Sequence, residues 1–336
     1  MNIQGTNLAT YSYSSLSVVS RDVVFVAGDI PHPSIREERI AVVIRTTDGG
    51  KNWTETTIEQ PGMRIPTLNS IHFISPELGW AVGLDSAGYG VTLKTTDGGT
   101  SWAASKLNFN QAPTSVFFID SENGWIGGST PPPGEDDGDG GPSDLLATTD
   151  GGITWRSQRR LPVTITDIFF LDKTNGWAAG TSGAIYHTTD GGLTWDSQRS
   201  ELESGEGPVD LTGDAAKGLA IFGIHFTTLQ SGFAAAGGIE EDTGRILGTT
   251  NGGQAWSRKL IVGDKGVRDV FFLNPDVGWA IIFDGHYVYH TTDGGRNWLS
   301  EQVQFEQDVP FFRIAAADAS HVWAAGGGAI FFRVTD

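Results

Sequence analysis

A turn written six times, a pair of apolar runs ahead of each copy, and a surplus of glycine and aromatic residues together predict an all-β chain. The fold they specify is a seven-bladed β-propeller of four-stranded antiparallel blades. The turn reads TTDGGKNW at 46–53 and returns at 95–102, 148–155, 188–195, 249–256 and 291–298, with a truncated seventh copy at 334–336. The 336 residues include 46 Gly, 11 Trp and 18 Phe. A hydrophobic content of 38% suffices for a core divided among many short strands. A repeat this strict reports architecture before it reports chemistry.

Within the turn, an acidic or amide side chain accepts hydrogen bonds from backbone N–H groups a residue or two further on. The two glycines behind it take positive φ without steric cost. Five copies carry Asp48, Asp97, Asp150, Asp190 and Asp293, and the sixth carries Asn251, which keeps the acceptor oxygen. In that copy Ala255 replaces the polar residue found before Trp elsewhere. The Trp opens the outgoing strand and offers a large apolar face to neighbouring sheets.

Ahead of each turn stands a Phe-rich run, as at 70–74, 115–119, 167–171 and 269–273. A Gly-Trp run follows, as at 79–83, 124–128, 176–180 and 278–280. Gly232-Phe233 and Val322-Trp323 are looser versions, and 24–28 is a worn first copy. Short apolar runs bounded by Gly, Pro, Asn and Asp read as strands. With the run entering the turn (91–94) and the run leaving it, each unit holds four strands in roughly 40 residues, the pattern of a propeller blade.

Runs counted from Leu16 to Ile314 give seven units in a single domain over 1–336. The seventh lacks an outer strand and residues 4–13 have no unit of their own, so the N-terminal strand is expected to close the ring. Insertions at 29–39, 129–144 and 200–218 are too polar and Pro-, Gly- or acid-rich to fold alone, and are expected as surface loops.

Charge narrows the partners. There are 22 Lys and Arg against 40 Asp and Glu, a net charge of −18, which repels phosphate backbones and anionic lipid. Neither nucleic acid nor direct membrane insertion is expected, and no apolar run approaches a membrane span. The absence of cysteine excludes disulfides, thiolate metal sites and thiol catalysis. The N-terminus shows no basic start with an apolar core, hence no signal peptide.

The pairing of the Phe-rich and G-W-A-x-G runs with T-T-D-G-G-x-x-W resembles the Asp-box (BNR) repeats of the propellers typified by the photosystem II stability/assembly factor. The resemblance covers nearly the whole chain. It implies a monomeric, cofactor-free, non-catalytic ring that helps assemble a membrane protein complex by binding unfinished subunits. With the lack of cysteine, it favours a periplasmic or extracellular location. The assembly factors share a basic surface patch, with which the net charge here contrasts.

The repeated acids read as scaffold, since one sits on each blade toward its outer strands. Arg64-Ile65-Pro66 resembles the Arg-Ile-Pro signature of sialidases, but it follows the first turn rather than preceding it, and Tyr186, Tyr287 and Tyr289 fall in strands that enter turns. Ligand sites in propellers lie at the channel mouth, where the innermost strands begin. The aligned positions there are Ser15, Ser70, Ser115, Asp167, Gly223, Asp269 and Arg313, with Arg268 alongside. The candidate binding residues are therefore Arg64, Asp167, Arg268, Asp269 and Arg313, for a protein partner. As the alternative, a carbohydrate-active propeller of sialidase, xyloglucanase or lectin type, Asp167 and Asp269 would serve as acid and base across the channel. Otherwise these two acids cap strands or pair with Arg268 and Arg313. Asp137, Asp139 and Gly140 resemble half of a calcium loop, but the terminal Glu is missing, Leu146 standing there, so no metal is expected. His72 and His225, at equivalent strand positions, are expected to pack within a blade.

Overall fold

The computed structural model describes residues 6–7, 11–35, 38–130, 141–198, 219–238, 244–262, 266–283, 287–303 and 310–334. Every regular element among them is a β-strand, and seven four-stranded antiparallel sheets form the blades. In the second blade the order from the axis outward is Thr67–Phe73, Gly79–Leu84, Gly90–Thr95 and Ala103–Lys106. Each innermost strand touches that of the next blade, and the seventh touches the first, so the ring is closed.

The last blade is completed from the other end of the chain. Thr6–Asn7 pairs with Ala329–Val334, placing Thr6 opposite Ile330 and Asn7 opposite Ala329. The segment before Ser14 is shorter in this role than expected, because Ser12 and Tyr13 already belong to the innermost strand of the first blade, Ser12–Val18. The insertion at 29–39 is also partly sheet: Val24–Pro31 and Arg39–Thr46 stay paired out to Pro31 and Arg39, where the Arg39 guanidinium bonds the Asp29 carboxylate. Ser129, Ser143 and Asp144 likewise end strands. Residues 131–140, with the acidic half-loop at Asp137 and Asp139, and residues 199–218 lie outside the described residues.

The repeated turn joins the third and fourth strands of the first six blades, on the side away from the axis. Its acid reaches further than one or two residues. Asp97 Oδ1 accepts the Thr95 hydroxyl at 2.8 Å and the Ser101 backbone N–H at 2.9 Å, while Oδ2 accepts the Ser101 hydroxyl at 2.6 Å. Thr95 Oγ1 in turn accepts the Gly99 N–H. Gly98 and Gly99 have φ of 71° and 81°, the double left-handed step that lets the chain reverse so that a four-residue reach is possible. Asp48, Asp150, Asp190 and Asp293 repeat the arrangement. Asn251 keeps the contacts with the Thr249 hydroxyl and the Ala255 N–H, and Ala255 has no side-chain donor for the bond that Ser101 makes to Asp97 Oδ2.

Blades adhere through a recurring aromatic set. The Trp of three Gly-Trp runs stacks on the last Phe of the next blade's innermost strand: Trp80 on Phe118 at 3.7 Å, Trp125 on Phe170 at 3.4 Å and Trp177 on Phe226 at 3.6 Å between centroids. The turn Trp of that next blade meets the same Phe edge-on, as Trp155, Trp195 and Trp256 do. The stacked Trp also donates Nε1–H to the first glycine carbonyl of the neighbouring turn, Trp80 to Gly151 and Trp125 to Gly191. The turn therefore docks blades as well as closing a hairpin.

Candidate functional site

All seven innermost strands carry a bulge at the same place. The register slips between Tyr13 and Ser15, Leu68 and Ser70, Pro113 and Ser115, Ile165 and Asp167, Ile221 and Gly223, Val267 and Asp269, and Phe311 and Arg313. One extra residue per strand leaves a side chain and a backbone N–H without a partner inside the blade. Those groups find partners in the next blade, and two polar layers around the axis result.

The deeper layer is formed by the aligned positions. Ser15 Oγ accepts the Ile71 N–H at 3.2 Å, Ser70 the Val116 N–H at 3.2 Å and Ser115 the Ile168 N–H at 3.2 Å. Asp167 Oδ2 accepts the Ile224 N–H at 3.0 Å, and Asp269 Oδ2 the Ile314 N–H at 2.9 Å. Gly223 has nothing to offer, so Asp269 satisfies the neighbouring Val270 N–H with its own Oδ1 at 2.9 Å. A Cβ on Gly223 would lie 2.3 Å from that oxygen, so the glycine is what makes room for the carboxylate.

Arg313 completes this layer. Its guanidinium lies 3.6 Å from Asp167 and 4.0 Å from Asp269, and donates to the Phe222 carbonyl at 3.2 Å. Burial pushes the Asp269 carboxyl up to about 7, and the Asp167 charge adds to this against the pull of Arg313. Burial also raises Asp167, against the same Arg. On Arg313 burial opposes the charge, but the two carboxylates outweigh it and hold its pKa above the usual value. The two acids thus pair with Arg313 and with neighbouring backbone, and no ion pair joins either to Arg268.

Below lies a cavity of about 160 Å³ lined by an arc of rings. His72, Phe117, Phe169, His225 and Phe271 follow one another at 4.5, 5.5, 4.7 and 4.7 Å between centroids. The two histidines face the axis and pack between blades, not within one, because they stand two residues beyond the aligned positions Ser70 and Gly223 and point the same way. Burial lowers both to about 4, so they are neutral.

Above lies the mouth, a cavity of about 360 Å³ on the side where the innermost strands begin. It is set by the bulge residues themselves, one step before the positions aligned from the sequence. In four blades the bulge residue stitches to the next blade: Ser14, Thr114 and Thr166 donate to the carbonyls of Leu68, Ile165 and Ile221, and Asn69 Nδ2 donates to Pro113 at 2.8 Å. In the other three it is Phe222, Arg268 and Phe312, and no such stitch is made. The Arg268 guanidinium instead sits 4.3 Å from the Phe222 ring and 4.3 Å from the Phe283 ring, and Phe283 reaches Phe312 at 6.3 Å. Burial, then the Arg313 charge, lowers the Arg268 pKa. No carboxylate among the described residues pairs with Arg268.

Arg64 is not part of this constellation. It stands in a small hairpin, Glu59–Gln60 with Met63–Arg64, and bonds Glu38. Phe222, Phe283 and Phe312 are absent from the candidate residues, although the run Ser14, Asn69, Thr114, Thr166 followed by Phe222, Arg268, Phe312 is visible once the bulge position is known. Among the described residues no three His, Asp or Glu side chains gather as a metal would require. No helix among them is long and apolar enough to cross a membrane.

No family model and no curated protein matches the chain. Similar solved structures include YCF48 bound to D1 peptide, 18% identical, covering 99% of this chain and 97% of that one at a TM-score of 0.69. YCF48 from Cyanidioschyzon merolae is 15% identical over 98% of both chains, at 0.63. The GH74 xyloglucanase from Xanthomonas campestris is 13% identical at 0.71. There 99% of this chain is covered against 54% of the enzyme, about half its length. At these identities the likeness is one of fold: the chain is a seven-bladed propeller built like both kinds of protein.

Proposed function

We propose that this propeller is a non-enzymatic scaffold that binds a protein partner at the mouth where its innermost strands begin. One observation carries the reading. The interblade stitches are complete in four blades and are replaced in three consecutive blades by Phe222, Arg268 and Phe312, which leaves at the mouth aromatic surface and a cation that no carboxylate among the described residues pairs. The exchange trades hydrogen bonds between blades for cation and ring contacts that stay open to the mouth, and contact with another molecule accounts for that choice. The axial carboxylates support the same reading from the other side. Asp167 and Asp269 each hold a neighbouring blade through backbone N–H groups, which occupies oxygens that an acid–base pair would present to substrate. That a propeller of this build, YCF48, is seen bound to a D1 peptide is a precedent for a polypeptide ligand.

A carbohydrate-active propeller is the second reading. Asp269 titrating at about 7 near Asp167, beneath aromatic side chains, resembles the equipment of a glycosidase. A panel of glycosides assayed with the wild type, Asp167→Asn and Asp269→Asn separates the two. The scaffold reading expects no turnover by any of them. Turnover by the wild type that disappears in the variants without loss of folding overturns it. Affinity capture with the wild type and Phe222→Ala adds the positive arm: a bound protein held by the first is lost from the second.

A further inference from the structure

Arg268, which no carboxylate among the described residues pairs, is held in an unusual way. Its guanidinium carbon lies 4.3 Å from the centroids of two rings, Phe222 from the fifth blade and Phe283 from the sixth. The rings hold the group in place by cation–π attraction but accept none of its N–H bonds. Arg268 lines the 360 Å³ mouth cavity beside Phe222, Phe312, Tyr13 and the hydroxyl-bearing Ser12, Ser14, Thr114 and Thr166. The second cation there, Arg313, is already engaged by Asp167, Asp269 and the Phe222 carbonyl. The donors of Arg268 therefore remain without an acceptor among the described residues, against a wall that is mainly apolar.

A buried guanidinium gains most from a planar anion that accepts two parallel N–H bonds, and a carboxylate has that shape. Arg313 stands close enough to oppose the Arg268 charge, and an anion at the edge would relieve that repulsion. The aromatic wall adds a demand of its own, because a small hydrated anion would leave the Phe222 and Phe312 surfaces uncovered. We infer that the mouth is a binding site for a carboxylate carried on an apolar body, with Arg268 taking the carboxylate and Phe222 and Phe312 covering the apolar part. This inference is independent of the scaffold reading, since the same group is found on a small organic acid and at the apolar C-terminal end of a polypeptide.

Calorimetric or NMR titration tests it with two matched pairs of probes. The first is phenylacetate against phenylacetamide, and the second is N-acetyl-Ala-Ala-Phe with a free against an amidated C-terminus. The expected result is that the acid of at least one pair binds, that its amide binds about tenfold or more weakly, and that Arg268→Gln brings the acid down to the amide's level. Arg160→Gln, on the outer strand of the third blade, leaves binding unchanged. Binding of phenylacetate alone assigns the site to small acids, and binding of the peptide acid alone assigns it to chain ends. Equal binding of acid and amide, no binding of either acid at roughly millimolar concentration, or full binding by folded Arg268→Gln overturns the inference. Should Arg268→Gln fail to fold, the acid–amide comparison on the wild type decides alone. Failure of this test alongside captured protein that Phe222→Ala releases would leave the scaffold reading standing.

Discussion

At the scale of single residues, the aspartates of the turns and the histidines of the channel make opposite uses of a titratable side chain. Asp97 is held down to about 2, first by the Ser101 side chain and then by its backbone N–H. It is exposed, and its function is to order the turn. Asp97→Ala should cost about 1 kcal/mol by urea denaturation, because water reaches the vacated donors. Asp97→Asn should cost less, as Asn251 keeps the two Oδ1 contacts in its own copy. The residue type and the glycines were legible in the sequence, but the four-residue reach was not, since it depends on both glycines lying at positive φ. His72 and His225 are neutral through burial, at about 4 in the folded chain against 6.5 when free. The unfolded chain therefore takes up protons that the folded one refuses, and these two residues cost stability as pH falls from about 6.5 to 4. Asp269, raised to about 7, does the reverse: it binds its proton more readily when folded and adds stability as pH falls from 7 toward 3.8. Phe117, Phe169 and Phe271 occupy equivalent places in the same arc. His72→Phe with His225→Phe should consequently flatten or invert the slope between pH 4 and 6.5, read from denaturation midpoints at pH 4.5 and 7. An unchanged slope would place the acid sensitivity elsewhere.

At the scale of the strand, the sequence disclosed the elements but not what each touches. The Gly-Trp run is plain as a strand, yet nothing in it says that the Trp stacks on the following blade's Phe or that its indole N–H seeks a glycine carbonyl one blade away. The preceding glycine follows from the same packing: a Cβ on Gly79 would come within 2.5 Å of the Phe73 ring. Phe25 and Phe233 fill the Trp place in two blades, stacked on Phe73 and Phe272 at 3.5 and 3.4 Å. The stack therefore tolerates Phe while the hydrogen bond is optional. Trp177→Phe should lose about 1 kcal/mol with the bond to Gly252, whereas Trp177→Ala should lose about 3–5 kcal/mol with the packing between two blades. Equal losses from the two would mean that the hydrogen bond, not the stack, holds these blades together. The innermost strands hid more. A bulge displaces the pattern by one residue, so aligning Ser15, Ser70, Ser115, Asp167, Gly223, Asp269 and Arg313 found the polar layer but put all of it at the mouth, where of these only Arg313 lines the cavity and the residues just before supply most of the rest.

At the scale of the whole ring, counting units located both the number of blades and the need for a strand from the other terminus, because an incomplete last repeat leaves an edge that some part of the chain must cover. Net charge was a poorer guide. A total of −18 coexists with a mouth that presents an arginine with no carboxylate partner among the described residues, since the sum runs over the entire surface while a ligand meets only one cavity. The closing pair is short, Thr6 and Asn7 against Ile330 and Ala329, yet it completes the only blade drawn from both ends of the polypeptide. Removing residues 1–10 takes away its few backbone bonds, worth about 1–2 kcal/mol together, and uncovers the outer side of the last strand at Ala329 and Ile330. An unpaired strand edge is a template for another chain. The truncated protein should melt several degrees below the full chain and elute as dimers or larger species that grow with concentration. A synthetic peptide of residues 1–10 supplied in excess should restore the monomer and part of the melting temperature, because it can occupy the vacated position without any change elsewhere. A truncated chain that stays monodisperse and melts with the parent would show that the ring is held shut by its innermost strands alone, and the N-terminal strand would then be dispensable to closure.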